Sequence, residues 1–242
     1  MKRRRRRLVL HSALDPRTKK FWFAFLSVLF LLSSPGLPSE RSQRDRILAV
    51  VQRMEAVFRS LADYTCDVNQ IYYRNGEEDQ IYRFKFFLKK EKKIRVDFSQ
   101  PHPGMTMIYK EGEDKATIIP LRSSPKIRFR FPVDSYLIKT PTGQRIDQTD
   151  IGYLLGFLSK NLQRVRQEEA QIQEDDEKVS FFIRALDYIE EKTLEKYRIS
   201  VNKKIWLPNQ IERYRLDGIP IEVTHILNYS VNSRLEDKIF NP

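Results

Sequence analysis

Side chains that could carry out nucleophilic, acid–base or metal chemistry are few in this sequence and lie far apart. The three histidines are His11, His102 and His225, and the single cysteine is Cys66. A metal site needs two or more ligands at short spacing, and neither His102 nor His225 has a second ligand at that spacing. Cys66 has no partner for an internal disulfide and is expected to be a small buried residue. We therefore predict no metal, no cofactor and no enzymatic activity.

Acidic residues are plentiful, but their pattern does not indicate catalysis. The runs "EEDQ" at 77–80 and "QEDDEK" at 173–178 are typical of solvated turns rather than of a paired acid and base. The sequence also has no glycine-rich phosphate loop and no nucleophile elbow. The function classes that remain are binding and structural ones.

The formal net charge of +12 raises the question of a polyanionic partner. Residues 1–20 hold nine basic residues against one acidic residue, so most of this charge belongs to the N-terminal segment. Two basic stretches remain, at 89–95 and 126–131. Their basic and aromatic side chains fall largely on opposite strand faces, whereas a base-stacking platform needs them on one surface. No nucleic-acid partner is predicted.

The basic N-terminus precedes an uninterrupted apolar stretch, "FWFAFLSVLFLLSS" at 21–34. This order is typical of an export signal, and the stretch is shorter than the roughly 20 residues of a membrane-spanning helix. We predict a signal peptide over residues 1–36, cut between Gly36 and Leu37, with an uncleaved inner-membrane anchor as the alternative. Either way, the remaining domain, residues 41–242, is expected in the periplasm.

One helix and a long series of strands must build this domain. Apolar residues recur at three- and four-residue steps over 45–61, which indicates a helix packed on a sheet. From residue 63 the period becomes two, with turn residues between the segments. Asp150 is placed to cap a short apolar helix, and the polar stretch 166–178 is interpreted as a solvated connection. The predicted fold class is α+β, with an antiparallel sheet, an N-terminal helix and a short inserted helix.

One face of this sheet is apolar and is the candidate binding surface. Apolar and charged side chains alternate along 82–98, and Lys90 shares the parity of the apolar set. Helices either fill such a face or leave a groove for acyl chains, and periodicity alone does not separate the two outcomes. The candidate ligand-binding residues are Tyr82, Phe84, Phe86, Leu88, Lys90, Ile94, Val96, Phe98, Leu154, Leu155 and Leu158.

Five stretches, taken in order, resemble a known family. They are "DYTCDVNQ" at 63–70, "FFLKKEKKIRVDFSQP" at 86–101, "MIYKEG" at 107–112, "ISVNKKIWLPNQIERYRLDG" at 199–218 and "NSRLEDKIFNP" at 232–242. The sequence resembles the periplasmic lipoprotein carriers of the LolA/LolB type, and more closely an uncharacterised exported family of the same fold. The most distinctive match is the C-terminal pattern of Asn232, Leu235, Asp237, Phe240 and Pro242.

The resemblance implies an incomplete, strongly curved antiparallel barrel, with helices as a lid over a cavity that holds acyl chains. Carriers of this type latch the closed lid with an arginine, and the matching position here is Lys90, which lacks the planar guanidinium. The predicted function is that of a non-enzymatic, monomeric periplasmic protein that binds a lipid or an acylated lipoprotein in outer-membrane biogenesis. The alternative is an envelope sensor or scaffold that uses the same fold to bind a protein, such as a membrane protein of the envelope.

Overall fold

An 11-stranded antiparallel sheet and two α-helices make up the part of the chain that the computed structural model describes, residues 42–164, 166 and 169–242. The helices are α1 (Gln43–Ser60) and α2 (Ile151–Leu162). The strands are β1 (Asp63–Arg74), β2 (Glu77–Lys89), β3 (Lys93–Gln100), β4 (Thr106–Lys110), β5 (Lys115–Ile119), β6 (Phe129–Pro132), β7 (Gln171–Glu174), β8 (Lys178–Leu186), β9 (Leu194–Asn202), β10 (Leu207–Tyr214) and β11 (Pro220–Val231). The predicted signal peptide lies outside the described residues.

The sheet is open, with β6 at one edge and β7 at the other. Its order is β6-β5-β4-β3-β2-β1-β11-β10-β9-β8-β7, so the first and last strands of the chain pair in its middle. The register places Val68 opposite Phe84 and Phe84 opposite Phe98, which aligns the apolar faces of β1, β2 and β3. The predicted fold class, an α+β incomplete barrel, is confirmed.

Helix α1 forms where the apolar spacing predicts it. Ser42 caps its first turn by accepting a hydrogen bond from the Asp45 amide at 3.1 Å. Its residues Ile47, Val51 and Met54 are fully buried and join the inward-facing strand residues in one core. The polar side of the helix faces solvent, as expected of a helix packed on a sheet.

Helix α2 runs beside α1 and touches it along its length. Asp150 caps α2 as predicted, accepting from the Tyr153 amide at 3.0 Å. At the other end, the Arg44 guanidinium donates to the Leu162 carbonyl at 2.9 Å. The helices come so close at Gly152 that a Cβ there would lie 2.8 Å from the Phe58 ring. A side chain at this position would displace the Phe58 ring, so glycine favours the close packing of the two helices.

The prediction of a solvated connection over 166–178 is wrong. Strand β7 lies within it and pairs with β8, and Ala170 and Ile172 are buried. Strand β7 has one apolar residue, Ile172, among its four, too few for a period of two to be visible. Its strand conformation comes instead from the free edge of β8, which supplies hydrogen-bond partners.

The C-terminal residues 232–242 form a strap against β3 and β4. Phe240 is fully buried there, and the Arg95 guanidinium donates to the Ile239 carbonyl at 2.8 Å. Asn232 accepts from the Ala62 amide at 2.7 Å and Asp237 pairs with Lys93 at 3.0 Å. The distinctive C-terminal pattern of the sequence is therefore a set of anchors.

Neither α1 nor α2 is long and apolar enough to cross a membrane.

Removing the strap's apolar anchor should destabilise the fold. Phe240→Ala deletes a ring that is 0% exposed, and we expect the free energy of unfolding to fall by about 3–5 kcal/mol. Urea denaturation measures the free energy of unfolding. Lys238→Ala is the control, because that side chain is exposed in the same turn. A loss no greater than that of the control would show that the strap does not hold the sheet.

Candidate functional site

A cavity of about 360 Å³ lies between the apolar sheet face, α2 and the segment 137–150. Its body is apolar, with Phe86, Val96, Met107 and Ile118 along the wall. Strand β2 contributes alternate side chains because residues two apart share a face. The helices therefore leave part of the apolar face uncovered, and a partly open cavity results.

The structure brings six of the eleven predicted site residues to the cavity wall. These six are Tyr82, Phe84, Phe86, Val96, Phe98 and Leu154. Four others are buried in the core without lining the cavity: Leu88, Ile94, Leu155 and Leu158. These four side chains face inward, as predicted, but they lie where helix and sheet already fill the space. Ligand contact of the six remains a prediction.

The placement predicted for Lys90 is wrong. Strand β2 ends at Lys89, so the alternation stops one residue earlier and Lys90 lies exposed in the turn that follows. Its Nζ donates to the carbonyl of Arg59 at the C-terminal end of α1. Lys90 therefore binds a helix end, where the negative end of the helix dipole favours a cation, and it does not line the cavity.

The turn between β2 and β3, residues 90–92, ties several elements together. Lys92 pairs with Asp150, the cap of α2, at 3.0 Å. Lys89 and Lys93, at the ends of the flanking strands, both contact Asp237 of the strap. The side chain of Asp150 is 5% exposed, so its ion pair is shielded from solvent more than a surface pair would be. This lysine turn holds the ends of both helices.

Strands β1 and β11 supply wall residues that the sequence interpretation did not include. From β1 come Tyr64, Cys66, Val68 and Gln70, and from β11 come Glu222, Thr224, Ile226 and Tyr229. The signal was present, since the β1 residues fall on alternate positions of "DYTCDVNQ". Cys66 is 3% exposed, and burial raises the pKa of its thiol, which keeps it protonated. It acts as a small wall residue, as expected from the sequence.

A charged network borders the cavity on β9, β10 and β11. Arg213 donates to Glu195 through Nε at 3.1 Å and to Glu222 through Nη1 at 3.0 Å, and all three side chains are buried. Gln70 donates to Glu222 at 2.7 Å. Burial, followed by repulsion from the Glu222 carboxylate, raises the pKa of the Tyr188 hydroxyl, which lines the cavity nearby. The cavity thus has a polar wall beside an apolar body.

Metal-binding geometry is not seen in the described part of the chain. Its histidine, cysteine and acidic side chains form no group of three or more that could hold an ion. The Arg213 network consists of ion pairs with their hydrogen bonds already made, which indicates a structural role for these carboxylates.

The fold and the cavity define a class, an open antiparallel half-barrel with an internal apolar cavity. Comparison of the sequence with protein-family models and with curated proteins gives no match. Among solved structures, the chain is similar to a DUF1329 family protein from Desulfovibrio piger, at 12% identity and a TM-score of 0.45, over 83% of this chain and 98% of that one.

Two further solved structures are similar to the chain. A LolA superfamily protein from Nitrosomonas europaea has 13% identity and a TM-score of 0.38, over 81% of this chain and 97% of that one. The lipoprotein LppX of Mycobacterium tuberculosis has 8% identity and a TM-score of 0.47, over 79% of this chain and 98% of that one. The structural neighbours thus include the LolA superfamily that the sequence motifs resemble. Nothing about a ligand follows from similarities of this size.

Two substitutions at Asp150 separate its capping role from its ion pair with Lys92. Asp150→Asn keeps a side-chain oxygen for the Tyr153 amide and removes the charge, whereas Asp150→Ala removes both. We expect Asp150→Ala to lower the free energy of unfolding by about 1 kcal/mol more than Asp150→Asn, because asparagine caps nearly as well as aspartate. Urea denaturation measures the difference. Lys92→Met is the control for the ion pair, and equal losses in both Asp150 variants would contradict the capping role.

Proposed function

We propose that this protein is a non-enzymatic binding protein that holds a lipid or an acylated ligand in its cavity. The observation that carries the proposal is the void of about 360 Å³ walled by aliphatic and aromatic side chains. Pockets of roughly 300–1,000 Å³ with mostly apolar walls are typical of small-molecule binding sites. A folded chain that only needed a core would gain stability by filling this space.

The chemistry of the wall favours a flexible hydrocarbon chain over a compact polar molecule. Leu154 of α2 faces Phe84, Val96 and Ile118 of the sheet across the same cavity. Each methylene that moves from water into such a wall contributes about 0.8 kcal/mol. Met105 and Met107 also line the cavity, and methionine adapts its shape to chains of different length and branching.

The lid of the proposed carrier is α2, and the lysine turn is its latch. Ile151, Tyr153 and Leu154 line the cavity, so movement of α2 would open it. The Lys92–Asp150 pair, at 3.0 Å, opposes that movement directly. Lys90 holds the end of α1, the helix against which α2 packs. Lys90 and Lys92, with one contact each, take the place of the single arginine of the lipoprotein carriers. The planar guanidinium of an arginine can make several contacts at once, which a lysine ammonium does not reproduce.

Export to the periplasm is part of the proposal. It rests on the basic and apolar order of residues 1–36, as described for the sequence, and on the likeness of the motifs to exported carriers. The alternative, an envelope sensor or scaffold that binds a protein, does not require an internal void. The open cavity favours the ligand-binding function over this alternative.

A cavity-filling substitution should weaken ligand binding without unfolding the protein. Val68 is half-buried on β1 and lines the cavity, so Val68→Trp fills the space that an acyl chain would take. We expect the unsubstituted protein, purified without detergent, to carry lipid and to exchange it for a fluorescent fatty acid. Val68→Trp should bind this probe at least about tenfold more weakly.

Leu227→Trp is the matched control, because Leu227 is 52% exposed on β11. It should bind the probe as the unsubstituted protein does. Absence of both co-purifying lipid and probe binding in the unsubstituted protein would refute the function.

Affinity should also depend on chain length. For a series of saturated acyl probes with the same headgroup, we expect about fourfold tighter binding per added methylene until the cavity is full, and no gain beyond that length. Displacement of the fluorescent fatty acid measures the series. An affinity that does not change with length would contradict burial of the chain.

A further inference from the structure

Exposed apolar side chains concentrate in one short part of the described chain, residues 121–139, which we call the rim segment. It contains five of the nine large hydrophobic residues that are exposed in the described residues. Tyr136 is 84% exposed and Leu137 is 60% exposed. The other three are Leu121, Ile127 and Phe129. Clustered exposure of this kind marks an interaction surface more often than chance.

The rim segment contains the edge strand β6, which has a strand neighbour on one side only. Edge strands are usually protected by charge or by a covering segment. Here Phe129 is half-exposed, and its ring lies 6.4 Å from that of Phe131. The edge therefore presents aromatic surface to whatever approaches it.

The charge of the rim segment is strongly positive. It holds Arg122, Lys126, Arg128, Arg130 and Lys139 against one acidic residue, Asp134. All three arginines contact neighbours, since Arg122 reaches Asp97, Arg130 reaches Glu113 and Arg128 reaches the Pro242 carbonyl. The side chains of Arg122 and Arg130 are nevertheless 50% and 55% exposed, so their charge still faces solvent.

The rim segment is continuous with the cavity. Leu137 both lines the cavity and is exposed, so it stands at the mouth. Phe131, Ile138 and Lys139 line the cavity as well. An apolar path therefore runs from the exposed surface into the interior. A ligand that entered the cavity at Leu137 would pass close to the basic residues of the rim segment.

We propose that the rim segment docks the protein on an anionic phospholipid bilayer with the cavity mouth facing the membrane. Basic residues attract anionic headgroups, and a tyrosine with its polar tip is suited to the headgroup layer. Separate apolar side chains on an irregular segment can each insert between lipids without a complementary groove.

Binding to vesicles tests this proposal independently of cavity occupancy. Residues 42–242 form one compact unit with its own core, so this part of the chain is used, and the basic N-terminus does not contribute. We expect co-sedimentation with vesicles of equal parts phosphatidylglycerol and phosphatidylcholine, and little with phosphatidylcholine alone. Salt should weaken the binding, because it screens the attraction.

Substitutions at exposed positions test whether the rim segment is the surface that binds the vesicles. Tyr136→Ser with Leu137→Ser should weaken vesicle binding about tenfold, and Lys126→Glu should weaken it at least about fivefold. The controls make the same chemical changes elsewhere: Leu227→Ser for apolar surface, and Lys204→Glu for charge in the β9–β10 turn. Both controls should bind as the unsubstituted chain does.

Three results would overturn the proposal. They are no binding to anionic vesicles, equal binding to both kinds of vesicle, and equal losses in the rim and control variants. The proposal would also be overturned if a rim variant still bound vesicles but no longer crosslinked to a protein that the unsubstituted chain crosslinks to. That result would indicate a protein-docking surface. Probe binding in the cavity is measured separately, so failure here would leave the acyl-binding function standing.

Discussion

The size of the sheet relative to its two helices is the constraint on which the rest of the structure depends. Eleven strands at about 4.8 Å spacing span about 48 Å, whereas the 18 residues of α1 extend about 27 Å and α2 is shorter. The concave face is apolar along several strands, so it must bury surface that the helices cannot fully cover. Curvature of the sheet closes part of the gap, and the remainder is the cavity. Its walls are accordingly mostly sheet residues, with α2 and the segment 137–150 completing them.

The lysine turn holds the ends of both helices beside the incompletely filled interior. Glu91 and Lys92 both have positive φ, 66° and 46°, which costs a non-glycine residue about 1 kcal/mol or more. The conformation directs Lys90 and Lys92 to the ends of α1 and α2, and Lys89 and Lys93 contact the C-terminal strap. The sequence feature that first suggested a polyanion partner is thus an internal junction. The positive charge available to an external surface lies instead along the rim segment.

Local patterns in the sequence predicted the secondary-structure elements. Contacts between residues distant in sequence determine which side chains line the cavity. The spacing of Ile47, Val51 and Met54 and the cap at Asp150 were sufficient for both helices, because each signal is contained within a few residues. A period of two assigns a residue to a face but does not say what lies opposite it. Leu88 and Ile94 therefore share a face with Phe86 and Val96, yet only the latter two reach the cavity. The strand β7 and the buried Arg213 network depend on partners distant in sequence, which no local pattern reveals.

We propose that hydrocarbon occupies the space between α2 and the sheet. Nuclear magnetic resonance of the protein with a ¹³C-labelled acyl chain tests it most directly, through intermolecular contacts to methyl groups. We expect contacts from the acyl chain to Val96, Met107, Ile118 and Leu154, which line the cavity, and none to Leu227 on the outer surface. Contacts confined to exposed methyl groups, with none to the four cavity residues, would contradict it.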